Sequence, residues 1–146
     1  MDCLINKLND FLCNLNVFYR KLQNYHWNVV GKDFFVVHSK LEEYYDEINK
    51  QVDEIAEHIL VLGGQPLARM QDYLEKAEIT EAENMKVKDD LVFKNITKDY
   101  ETLLGNCIKI KEEADKTNNY ATSSLIDEYI LDYSKKLWML KQMQSC

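Results

Sequence analysis

Apolar residues recur along this chain at alternating steps of four and three, a spacing that few folds can satisfy. Leu4, Leu8, Phe11, Leu15, Phe18, Leu22 and Tyr25 keep it for three heptads, which places them on one stripe of one long helix. The same step returns at Leu41, Tyr45, Ile48, Val52, Ile55, Ile59 and Leu62, then stops at the stretch GGQP. There Gly63 can take a left-handed cap and Pro66 bars continuation. A third helix is expected to open at Thr80, three residues before Glu83, the spacing of a capping box. Its seam runs through Ile96, Tyr100, Leu103, Cys107, Ile110 and Ala114. A fourth follows the polar break DKTNNYATSS, with Ile126, Ile130, Tyr133, Leu137 and Leu140 on its seam. Only four Gly and one Pro are present, which suits long helices and argues against a turn-rich sandwich or barrel.

Junction lengths specify the wiring. The first, around VVGKD, and the third, around KTNNY, are short, so each joins antiparallel neighbours. The middle junction, from Gly63 to Glu78, is long enough to run the length of a bundle, and ARMQDYLEKA within it can form a small extra helix. Two hairpins joined by one long crossover is the ferritin-like arrangement of an all-α four-helix bundle. With 146 residues and no internal repeat, the expectation is one such domain over residues 1–146.

The net charge of −7 bears on partners. Nucleic-acid binding draws its affinity from basic patches or arms, whereas the lysines here are scattered among acids. The start, MDCLINKLND, lacks the basic segment, apolar run and small-residue site of a signal peptide. No stretch approaches the roughly 18 apolar residues of a membrane span. A cytoplasmic location is therefore expected, in which Cys3, Cys13, Cys107 and Cys146, lacking any C-x-x-C spacing, stay unbridged.

Two of three histidines, His26 and His38, flank the short first turn in NYHWNVVGKDFFVVH. They end one helix and begin the next, so both imidazoles can reach the same end of the bundle. On the second helix Glu42, Asp46, Asn49, Asp53 and Glu57 form a polar stripe beside the apolar seam. A carboxylate stripe alone is ordinarily a solvated face. His38 and Glu42 lie one turn apart, however, as do Asp53 and Glu57, so each pair can offer two ligands to one ion. Nitrogen and carboxylate oxygen together suit iron, manganese or zinc. His38 and Asp53 are separated by about 22 Å along the helix axis, against a metal bond of about 2 Å. A metal shared between the histidines and the Asp53/Glu57 pair therefore requires a second chain, with its second helix running antiparallel, and two-fold symmetry supplies it. No Glu-x-x-His, the inward-facing motif of an internal di-iron bundle, occurs in the sequence.

The stretch from Asn24 to Ala68, NYHWNVVGKDFFVVHSKLEEYYDEINKQVDEIAEHILVLGGQPLA, closely resembles the signature of the Dps family of mini-ferritins, and the likeness continues to KKLWML in the last helix. The resemblance implies a hollow dodecamer that takes up ferrous iron, oxidises it preferentially with hydrogen peroxide and stores a ferric mineral, protecting the cell from oxidative damage. It implies a ferroxidase centre between two-fold related subunits, with His26 and His38 from one chain and Asp53 and Glu57 from its neighbour. Glu42 matches a position that is often acidic and can help hold a second iron. Trp27 resembles the family's tryptophan near the centre, an electron donor when one iron is bound, or else a plain packing residue. His58 stands where the family often has Arg and is assigned no metal role.

The sequence departs from the family at the start of the last helix, where Ser124 replaces an acidic residue expected to line three-fold pores. Asp127 and Glu128, one turn on, are the candidate replacements, or simply face solvent. One rival function is a DNA-coating nucleoid protein. Members that coat DNA usually carry a basic tail, whereas the terminal LKQMQSC holds one Lys, so DNA binding is not expected. A second rival is an inert assembly or zinc store without redox turnover.

Overall fold

The computed structural model describes residues 1–144. Its elements in chain order are α1 (Asp2–Asn28), β1 (Val29–Val30), α2 (Phe34–Val61), α3 (Met70–Lys76), β2 (Val87–Lys88), α4 (Asp89–Lys116) and α5 (Tyr120–Gln144). α1 packs along α2 and α4 along α5, and the two hairpins meet chiefly through α1 and α4. Every seam residue of α1 and α4 named above is buried, from Leu4 through Tyr25 and from Ile96 through Ala114. Aromatic rings lock the centre: Phe18 meets Tyr100 edge to face at 4.9 Å, and Tyr100 meets Tyr44 edge to face at 5.6 Å and Tyr133 at a tilt at 5.7 Å between centroids. Such contacts add to the area these side chains bury.

α2 ends where the spacing predicts. Gly63 adopts φ 83°, and the amide of Gly64 donates to the Ile59 carbonyl at 2.9 Å, closing the last turn. The crossover contains the expected small helix, α3, but is longer than its sequence suggests because α4 opens at Asp89 rather than Thr80. The Thr80–Glu83 spacing is not a capping box here, because tertiary partners engage that backbone. Asn24 donates to the carbonyls of Ala82 and Glu83 at 3.3 Å each, and Val87–Lys88 pairs in parallel with Val29–Val30. Nor is the polar break all loop: α5 begins inside it at Tyr120. Asn118 takes a left-handed φ of 56° and the Asn119 side chain accepts from the Thr122 amide at 3.1 Å, so three residues complete the turn.

Three asparagines of α1 pin the crossover. Asn9 bonds the Gln65 carbonyl and the Leu67 amide. Buried Asn14 accepts from the amides of Glu78 and Ile79 at 2.8 and 3.0 Å and donates to Asn106 at 2.9 Å, and Asn24 holds residues 82 and 83. The long connection thereby satisfies its backbone groups without regular structure. Among the described residues no helix is long and apolar enough to cross a membrane.

Candidate metal centre

The turn β1 and its flanks bring the two histidines into contact. Their rings stack at 3.7 Å between centroids and 13° between planes. Nδ1 of His26 lies 2.7 Å from the His38 carbonyl, and Nδ1 of His38 lies 2.7 Å from the His26 carbonyl. Each ring therefore donates Nδ1–H to the other residue's backbone, which fixes the tautomer and leaves both Nε2 lone pairs for a ligand bond. Gly31 makes the turn possible. Its φ of 148° is unusual for a side-chain-bearing residue, and a Cβ there would stand 2.4 Å from the Asp89 carboxylate.

Phe34, one turn before His38, stacks on that ring at 5.0 Å, and Tyr45 stands edge-on to His26 at 5.4 Å. Neither was singled out from the sequence. The four-residue step from Phe34 to His38 was a signal for the first, whereas Tyr45 reads as a plain seam residue. His26 is buried, and its Nε2 lies 3.7 Å from the exposed carboxylate of Glu42. Trp27 does not pack into the core of the chain: it is 59% exposed, with the Arg20 guanidinium 6.0 Å from its ring.

Asp53 and Glu57 lie on the exposed face of α2, beyond the reach of this cluster. α2 is one unbroken helix, so about 22 Å of axis separates His38 from Asp53. The neighbouring Asp53 raises the Glu57 carboxyl above the usual carboxylate range, through a shared hydrogen bond and like charge, with desolvation adding to it. Two carboxylates held side by side in this way suit a divalent cation. Among the described residues no three His, Cys, Asp or Glu gather into one group within the chain. The structure thus presents two separate sets of candidate ligands, nitrogen-rich at one end of α2 and carboxylate at the other.

His58 turns away from Glu57 and bonds the Thr122 hydroxyl at 2.7 Å. Burial lowers its pKa against the opposing pull of Glu54. Ser124 and Glu128 are exposed on α5, and Asp127 forms an ion pair with Lys111 at 2.8 Å. Cys3, Cys13 and Cys107 are free. Burial pushes the Cys13 thiol up to about 11 and raises Cys107 as well. Cys146 lies outside the described residues.

Comparison with known proteins assigns the family. The ferritin-like domain family matches residues 5–145. A DNA protection during starvation protein 2 of Bacillus anthracis is 39% identical over 138 residues, covering 94% of each chain. This chain belongs to the Dps family. General stress protein 20U of Bacillus subtilis is 35% identical over the same share of each chain. Among solved Dps structures, that of Vibrio cholerae superposes with a TM-score of 0.95 at 35% identity over 99% of this chain and 90% of that one; it is described as a member of a broad superfamily of ferritin-like diiron-carboxylate proteins. A Dps protein from Bacillus brevis gives 0.94 at 33% identity, covering 99% and 96%. The Dps fold, two hairpins and one crossover, is therefore the setting in which both sets of candidate ligands are to be read.

Proposed function

We propose that this Dps-type chain is a ferroxidase subunit. It binds Fe(II) between two copies related by a two-fold axis, oxidises it with hydrogen peroxide and stores ferric mineral in a hollow dodecamer in the cytoplasm. His26 and His38 of one copy and Asp53 and Glu57 of the other hold the iron substrate, with Glu42 assisting at a second iron. Two Fe(II) each give up one electron, the O–O bond breaks and peroxide leaves as two waters after taking two protons. No unpaired electron is left over, so hydroxyl radical is not released. With only one Fe(II) bound, exposed Trp27 beside His26 is available to supply the second electron.

One observation carries this reading, the register of α2. A two-fold axis crossing the helix beside Glu47 and Ile48 lies midway between His38 and Glu57, and midway between Glu42 and Asp53. Phe35 with Val61 and Val36 with Leu60 are centred on Ile48, within half a residue of the same axis. Those four apolar residues are exposed in the single chain, Phe35 at 84% and Val61 at 76%. One symmetry operation therefore brings together both half-sites and covers both apolar ends. The donor set fits iron, since imidazole with carboxylate suits it and the Nδ1 bonds leave both Nε2 atoms available, that of His26 with the Glu42 carboxylate 3.7 Å away.

The Bacillus anthracis relative is named for DNA protection. A net charge of −7 per chain favours protection by removing iron and peroxide over protection by coating. A gel shift at low salt is expected to leave DNA unretarded. The deciding experiment is stopped-flow oxidation of Fe(II) with peroxide, comparing the unmodified protein with Asp53→Ala, assembly being checked by light scattering. The rate should fall by more than the roughly 10–100-fold that loss of an outer-shell partner costs. An assembled Asp53→Ala protein oxidising iron at the unmodified rate would overturn the reading.

A further inference from the structure

Lys21 of α1 and Asp99 of α4 form an ion pair at 2.8 Å, and each residue is only 7% exposed. Taking two charges out of water is costly, and their attraction repays the cost only where further hydrogen bonds satisfy both groups. Here one oxygen is left wanting. The Lys21 ammonium touches Asp99 Oδ2 without being aligned to donate to it, and among the described residues that buried oxygen has no hydrogen-bond donor. Burial raises the Asp99 carboxyl above the usual carboxylate range, against the opposing pull of Lys21.

The pair lines a cavity of about 400 Å³ between the crossover and the helices α1 and α4, a size ordinary for a small-molecule site. Its outer wall is tied down at both ends: Asn24 holds the crossover at residues 82 and 83, and Val87–Lys88 pairs with β1. Glu81 and Glu83 from the crossover and Lys98 from α4 complete the charged lining, so three carboxylates face two ammonium groups. Met85, Val87 and Leu91 add an apolar side, where Met85 is 59% and Leu91 49% exposed. We infer that this cavity binds a small aliphatic ammonium ion, its head on the Asp99 carboxylate beside Lys21 and its chain along Met85, Val87 and Leu91. The N–H donors of such a head give Asp99 the bonds that Lys21 leaves unmade, and its charge balances the excess carboxylate. The chain covers apolar surface that water otherwise wets. None of these residues is a candidate metal ligand, so the inference stands apart from the ferroxidase reading.

The probe is n-butylammonium chloride, titrated into the assembled protein by calorimetry at low salt, where charges are least screened. Butanol, butanoate and methylammonium are titrated alongside. Butylammonium is expected to bind saturably and at least about tenfold tighter than butanol or butanoate, as a charge-assisted hydrogen bond requires. It should also exceed methylammonium by roughly fourfold for each CH₂ the apolar side covers. Asp99→Asn keeps the shape, removes the charge, and should weaken butylammonium by about tenfold or more. Leu91→Ala changes a half-exposed position, so it serves even where Asp99→Asn fails to fold; it should reduce the preference for butylammonium over methylammonium severalfold and leave methylammonium binding unchanged. The inference is overturned by an absence of saturable butylammonium binding, by butanol or butanoate binding as tightly, by a folded Asp99→Asn protein that binds as the unmodified one does, or by an unchanged preference in Leu91→Ala. Each of those results leaves the ferroxidase reading untouched, since none of them reads iron oxidation.

Discussion

At the residue scale, His26 and His38 lock one another, each ring nitrogen Nδ1 lying 2.7 Å from the other residue's carbonyl. Two imidazoles either side of a short turn can be read from spacing, but the reciprocal Nδ1 bonds to each other's carbonyls depend on how the turn closes. That closure depends on Gly31, whose positive φ and lack of a side chain let the Asp89 carboxylate lie against it. Gly31→Ala is therefore expected to disturb the two histidines together, weakening zinc or cobalt binding in calorimetry, while leaving the core helices intact by circular dichroism. Unchanged metal binding in a folded Gly31→Ala protein would show that the turn does not set the rings. Buried Asn14 had no sequence signature, since its three partners lie 64, 65 and 92 residues away. Asn14→Ala leaves two amides and the Asn106 side chain without their partner, and should lower stability by about 3 kcal/mol in urea unfolding. A loss below about 0.5 kcal/mol would mean that water replaces the side chain.

At the element scale the apolar period located all four long helices, because burial on one stripe is a local property of sequence. Boundaries were less readable wherever a distant partner decides them. The Thr80–Glu83 pattern looks like a helix start, yet α1 takes the carbonyls of Ala82 and Glu83 and β1 pairs with Val87–Lys88, so α4 waits until Asp89. Asn119, within a stretch that reads as loop, instead caps α5. One element carries an avoidable cost. Gly105 sits inside α4, and a Cβ there would meet nothing within 4 Å. Gly105→Ala should then stabilise the chain by about 0.5–1 kcal/mol, by reducing the freedom of the unfolded backbone. A raised unfolding midpoint is the readout; a lowered one would mean that another copy packs against that face.

At the scale of the whole molecule, the half-sites are fixed by one length, the stretch of α2 between His38 and Asp53. That length was legible, since an uninterrupted heptad pattern implies a straight helix and a straight helix implies the distance. What the pattern could not show is which residues flank the half-sites outside the core, because Phe35, Val36, Leu60 and Val61 look like ordinary apolar positions until their exposure is known. The proposed axis, which would join His38 to Glu57, would also set Phe35 opposite Val61 of a second copy, so assembly and chemistry should fail together and be rescued together. Phe35→Asp places a charge in an apolar contact, and desolvating it unpaired costs several kcal/mol. Sedimentation should show small species, and oxidation of Fe(II) by peroxide should be lost. Val61→Lys alone should fail in the same way. Combined in one chain, the two substitutions face each other across the axis as an ion pair, which should restore both the assembled mass and part of the oxidation rate. Single variants that remain small and still turn over iron would break the link between interface and site, and a double variant no better than either single would move the axis elsewhere along α2.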